Sequence, residues 1–143
     1  MALKRTIPIE TGFLNVVFSD ATDGNFQIDS DKQILSKLRS DIVPYEWTWF
    51  KQVHGNKIYI VEKPGEHAGK DADGSVTSQY DCPLSVTTAD CSPVVLVGSN
   101  SFAVLHAGWK SLEAGIIERG AEMLKEHGAE PNATLLGLSL IHI

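Results

Sequence analysis

The alternation of apolar and polar residues along the chain predicts a series of short strands and two helices. "FLNVVFS", Phe13 to Ser19, is β-branched and aromatic and predicts a strand, ended by the turn-forming "DATDGN". From Ser30 to Arg39 the period changes. Ile34, Leu35, Leu38 and Ile42 recur at helical spacing, Ser30 and Gln33 match a capping box, and Pro44 stops the helix. "WTWFKQV", Trp47 to Val53, predicts a strand; "HGN" turns the chain, and "KIYIVE", Lys57 to Glu62, returns. Lys63 to Gly74 has the composition of a loop. "PLSVTT" and "PVVLVG" predict short strands, and Gly98-Ser99-Asn100 leads into "FAVLHA", Phe102 to Ala107, as a hairpin.

The second helix is predicted over Ser111 to His127. Leu112, Ile116, Gly120, Met123 and Leu124 line one face. Glu113 lies in its first turn, Lys125 and His127 in its last, and Gly128 is a natural stop. "ATLLGLSLIHI" closes the chain as a strand-like apolar run. Hairpins mixed with helices predict an α/β or α+β fold with a mixed sheet.

The 143 residues suffice for a single domain, residues 1–143, with a real core. A formal net charge of −6 argues against nucleic acid or an anionic membrane as partner and leaves small molecules open. Pro8, Glu10, Thr11 and Gly12 interrupt any apolar segment of a signal peptide, and no apolar run reaches the ~18 residues of a membrane span. Two cysteines, Cys82 and Cys91, make no disulfide framework. The expectation is a cytoplasmic protein with reduced thiols.

Three residues that can ligate a metal stand at element ends. His54 follows a predicted strand at a turn, Cys91 precedes "PVVLVG", and His106 ends "FAVLHA". The ends of sheet strands can converge on a rigid frame. One cysteine and two histidines form a zinc donor set that leaves a fourth position open, and zinc acidifies a water held there. The spacings, 37 and 15 residues, match no local zinc motif. The same residues also read as a turn histidine, a small buried thiol and a core histidine. Asp90 beside Cys91 reads as a general base, a partner of the ligands or a strand-end cap. Asp71 and Asp73 resemble a calcium loop only faintly, because Cys82 stands where its closing glutamate belongs. Cys82 reads as a loop thiol, and His67 and His127 as solvated surface.

"KQVHG" (Lys51 to Gly55), "DADGSVT" (Asp71 to Thr77), "TTADCSPVVL" (Thr87 to Leu96) and "LHAGWK" (Leu105 to Lys110) follow one another in the order and spacing of one family. The chain resembles the YfiH family of laccase-domain, multicopper-oxidase-like proteins, regarded as purine nucleoside phosphorylases. The resemblance runs from about Phe50 to Gly137, and more weakly over Phe13 to Asp29. It implies an α/β layered sandwich, with zinc held by His54, Cys91 and His106. The activity it implies is phosphorolysis of adenosine, inosine, guanosine and methylthioadenosine, with adenosine deamination. Beside it, Asp90 and Asp73 are candidate proton carriers, Lys110 a candidate substrate contact, Gln52 a substrate contact, a holder of a ligand histidine or a strand-end hydrogen bonder, and Trp109 a surface for a base or a core residue. The partners expected are a nucleoside and phosphate.

The chain departs from the family in three places. Lys110-Ser111 stands where Arg-Gly is usual, which keeps the charge and loses the bidentate fork. Ala21-Thr22 stands where an arginine is expected. After Gly137 the family continues through a G-P-x-I segment, so the domain is expected to be incomplete at its C-terminus, with Leu138 to Ile143 not native. Three other functions stand beside the first: a copper-dependent phenol oxidase, a hydrolase editing peptidoglycan precursors, and an inactive zinc-binding fragment. Copper ranks below zinc, because a blue site wants an axial ligand such as methionine and neither Met1 nor Met123 is near a motif.

Overall fold

The computed structural model describes residues 2–127 and 130–137. The chain divides after Pro44 into two compact units. In the first, β1 (Leu3–Ile9) and β2 (Gly12–Phe18) form an antiparallel hairpin, with Ile9 opposite Gly12. β2 is the predicted strand; β1 was not anticipated, since lysine, arginine and proline interrupt its apolar positions. The helix of this unit, α1, runs Lys32–Ile42. Asp31 caps it, not Ser30: its carboxylate accepts from the amides of Gln33 and Ile34 at 2.9 and 3.1 Å. Leu35 is buried while Ile34 is exposed. Val43 is extended, as the residue before a proline must be, and the helix ends there.

The second unit is built on a five-stranded sheet in the order β3-β4-β6-β5-β7. Its strands are β3 (Ile58–Ile60), β4 (Gly74–Thr77), β5 (Ser92–Val97), β6 (Phe102–Ala107) and β7 (Ala133–Leu136). β3 and β4 are parallel and the other pairs antiparallel, so the sheet is mixed. The predicted β5–β6 hairpin forms, closed by Gly98 N–H donating to Ser101 O at 2.8 Å.

Residues 47–53 do not form a strand paired with 57–62. They run between two other segments and touch each through a single bridge, Thr48 with Leu84 and Lys51 with Asp71. Residues 83–88 are likewise no ladder strand. A sequence pattern marks extended backbone but not whether its partner stays alongside. β3 instead pairs with β4, four buried residues inside a polar motif that carries no apolar alternation.

The predicted long helix is two helices, α2 (Trp109–Glu113) and α3 (Ile116–Glu126). Gly115 adopts φ 79°, a left-handed conformation that breaks the helix, and Asn56 Nδ2 donates to the freed carbonyl of Ala114 at 2.8 Å. Ile116, Gly120, Met123 and Leu124 are buried as expected, whereas the break leaves Leu112 exposed. These α3 residues pack on Ile58, Val76, Val94, Leu96, Ala103, Leu105 and Ala107 of the sheet. Gly120 permits that approach, because a Cβ there would lie 2.9 Å from Leu105 Cδ1. The result is the α/β layered arrangement on a mixed sheet that was expected. Gly128, His142 and the tail Leu138 to Ile143 lie outside the described residues.

Candidate metal centre

Sheet register brings the three donors together. In the β5–β6 ladder Ser92 faces Ala107 and Pro93 faces His106, which sets Cys91 beside Gly108. In the β4–β6 ladder Gly74 faces Leu105, and His106 N–H donates to Asp73 O at 2.7 Å. Asp73 then reaches the turn that carries His54. The ligand atoms of His54, Cys91 and His106 all lie within 4.8 Å of one another. The two imidazoles meet edge to face, with ring centroids 5.0 Å apart.

Asp73 is completely buried. Its Oδ1 accepts from His54 N–H at 3.0 Å, and its Oδ2 from Val53 and Gly55 N–H at 3.1 and 2.9 Å. Three successive amides thus point at one carboxylate, an anion nest that holds His54 at φ 57°. The same Oδ1 lies 2.9 Å from His106 Nδ1. A carboxylate there makes Nδ1 the donor, so Nε2 keeps the lone pair that a metal requires. Desolvation of the carboxylate is offset by these four N–H groups.

Gly108 packs against the donors. A Cβ on it would lie 3.0 Å from both Cys91 Sγ and His54 Cδ2. Gly108→Ala is therefore expected to push the donors apart and to weaken metal binding about tenfold, as read by competition with a chromophoric chelator. Unchanged affinity would show that the ligands tolerate the methyl group. Tetrahedral bonds of about 2.0–2.3 Å call for donors about 3.5 Å apart. The observed trio needs only modest closing to share one ion. His106 is buried, Cys91 half-buried and His54 exposed, so the site faces solvent on the His54 side.

The other expected residues are placed unequally. Gln52 turns its side-chain amide onto the backbone of Thr87. Lys110 is exposed on α2, its ammonium 5.5 Å from the Trp109 ring centroid. Trp109 is 70% exposed, so it is no core residue. Asp90 is exposed next to Cys91. Cys82 is buried, and burial pushes its thiol pKa up. His67 is not simply solvated: its ring stacks on Tyr59 with centroids 4.4 Å apart. Sequence reasoning missed two supporting roles, that of Gly108 and that of Asp73 beneath the ligand turn. Both residues lie in quoted motifs, but only the fold shows what they touch.

Residues 13–139 match the family described as multi-copper polyphenol oxidoreductase laccase. A purine nucleoside phosphorylase of Streptomyces coelicolor is 36% identical over 107 residues, covering 73% of this chain and 44% of that protein. One of Mycobacterium bovis is 36% identical over 84 residues, covering 57% of this chain and 34% of that protein. The chain thus spans less than half the length of these relatives. Among solved structures, YlmD from Geobacillus stearothermophilus superposes with a TM-score of 0.68 at 20% identity, covering 80% of this chain and 50% of that one. Bacillus licheniformis YfiH gives 0.68 at 23% identity over the same shares. These two likenesses establish the fold. With its motifs, its layered fold and a His/Cys/His group able to hold a metal ion, this chain belongs to the multi-copper polyphenol oxidoreductase laccase family.

Proposed function

We propose that this chain carries the metal centre of a zinc-dependent purine nucleoside phosphorylase that also deaminates adenosine. The observation that carries the reading is the convergence of His54, Cys91 and His106, with Asp73 fixing one imidazole from behind. The names of the relatives supply the substrate class. A borderline-soft ion such as zinc suits one thiolate and two imidazoles, and three protein donors leave a position for a reactant. Copper shares the donor types, but Met123 is spent on the buried face of α3 in the core, leaving no methionine for an axial ligand among the described residues.

Zinc, when bound, supplies Lewis-acid polarisation of a reactant oxygen. The protein's own residues do the rest. Asp73 positions His106 and the His54 turn; it is a positioning residue, since its oxygens are occupied by the four N–H groups. Lys110 offers the phosphate an exposed ammonium. Exposed Trp109, next to Gly108, offers a face on which a purine can stack, worth about 0.5–1.5 kcal/mol. In phosphorolysis the C1′–N9 bond breaks as a phosphate oxygen bonds C1′. In deamination water adds at C6 and ammonia leaves, with solvent-facing Asp90 carrying the proton.

The test is release of adenine from adenosine, and of hypoxanthine from inosine, by the full chain with and without phosphate. Release should depend on phosphate, stop with a chelator and return with zinc. Trp109→Ala should raise KM for the nucleoside about 2–10-fold with little change in kcat. A zinc-loaded chain that releases no base would sink the phosphorylase reading and leave an inactive zinc-binding fragment. Release restored by copper and not by zinc would reverse the choice of metal.

A further inference from the structure

The side-chain amide of Gln52 makes two short hydrogen bonds to one backbone unit far along the chain. Its Nε2 donates to Thr87 O at 2.6 Å, and Thr87 N–H donates to its Oε1 at 2.7 Å. This is the pattern by which one strand residue pairs with another, made here by a side chain. Gln52 stands two residues before His54, and Thr87 four residues before Cys91. The pair therefore joins the two segments that deliver the two outer donors.

The backbone pairing between these segments lies away from the ligands. Residues 47–53 and 83–88 meet in a single bridge, Thr48 with Leu84, well before either donor. Beyond that bridge the backbones are not laddered together among the described residues. His106 needs no such device, because it lies in β6 and is held by Asp73. His54 is anchored from below by the same carboxylate. Cys91 stands one residue before β5, whose pairing with β6 holds it on one side. The segment that reaches it from the other side is joined to the His54 segment by the Gln52–Thr87 pair.

We infer that Gln52 is a positioning residue for the metal centre, a clamp that sets the spacing between His54 and Cys91. The inference rests on the metal reading above and extends it to Gln52, which from the sequence reads as a substrate contact, a holder of a ligand histidine or a strand-end hydrogen bonder. Thr87 is exposed and Gln52 only half-buried, so water competes for both bonds. Their contribution to the whole fold is accordingly small. Their effect on a neighbouring donor set is not, because metal affinity depends on how closely the donors are held before the ion arrives.

The experiment uses Co2+ as probe on the full chain, parent and variants. A thiolate-to-cobalt charge-transfer band reports Cys91, visible bands report four-coordination, and chelator competition gives the affinity. Gln52→Met removes both hydrogen bonds. Gln52→Glu keeps the acceptor for Thr87 N–H but sets an oxygen against Thr87 O. Ser85→Ala is the control: it deletes the 2.8 Å bond from Ser85 Oγ to Thr48 O in the same pair of segments, away from the donors. Far-ultraviolet circular dichroism verifies folding.

The expected result is a loss of about tenfold or more in Co2+ affinity in the Gln52 variants, with a shifted charge-transfer band and Ser85→Ala at parental affinity. If one Gln52 variant fails to fold, the other decides. Parental affinity and spectrum in a folded Gln52 variant would overturn the clamp and leave the metal reading intact. An equal loss in Ser85→Ala would also overturn it, by showing a general loosening. A folded parent that binds neither Co2+ nor Zn2+ would remove the metal reading, and the clamp with it.

Discussion

Cys91→Ser is expected to empty the proposed metal centre: zinc measured by elemental analysis should fall from about one ion per chain to near none. The physical reason is the donor. A thiolate is anionic and soft at a zinc site, whereas a serine hydroxyl stays protonated and binds weakly. With two imidazoles left, one of them exposed, the set cannot hold the ion. The fold should survive, since Cys91 is half-buried at the start of β5 and the change is one atom. Folding stability without metal is expected to move by about 1 kcal/mol or less. Thermal melts give a second readout. Zinc at a hundredfold excess over Kd adds about 2.7 kcal/mol to a protein that binds it when folded. The parent's Tm should therefore rise with zinc while that of Cys91→Ser stays flat. A serine variant that keeps its zinc would show that Cys91 is not a ligand.

Asp73→Asn should cost both stability and metal. The carboxylate is completely buried and receives four N–H groups. An asparagine matches its shape but sets an N–H2 group against one or more of those donors, leaving buried N–H unsatisfied. The expected loss is about 2–4 kcal/mol in denaturant unfolding of the metal-free protein. The amide also no longer compels His106 Nδ1 to carry the proton. Zinc affinity should fall about 10–100-fold in chelator competition. The two readouts separate the roles. A stability loss with undiminished affinity would make Asp73 a structural residue only. A change below about 0.5 kcal/mol would contradict the buried network itself.

The parts of the fold readable from the chain were those encoded locally. β2, the β5–β6 hairpin and the buried stripe of α3 follow from periodicity and turn residues, because each is satisfied within a few residues of itself. Where pairing is long-range, the pattern misled. Residues 47–53 look like a strand and are extended, yet their neighbours on either side change along their length. β4 is a strand in a polar motif, because its neighbours β3 and β6 bury it and not because its own residues alternate. The break at Gly115 sat in plain view as a glycine. Whether a glycine bends a helix depends on what receives the freed carbonyl, and the donor, Asn56, comes from a distant turn.

The candidate site divides along the same line. The residue types His54, Cys91 and His106 marked candidate donors, because donor chemistry belongs to the side chain alone, and the motifs around them carried the resemblance to the family. Their convergence belongs to the tertiary structure. It depends on the β5–β6 register that sets Cys91 beside Gly108, and on the β4–β6 register that brings Asp73 to His106. It depends equally on the buried carboxylate that gathers three amides of the His54 turn. Those pairings join residues far apart in sequence, Asp73 to His106 across 33 positions, and no local pattern specifies them. They exist because burying one face of the sheet beneath α3 permits a single register, and that register carries the three donors to one point.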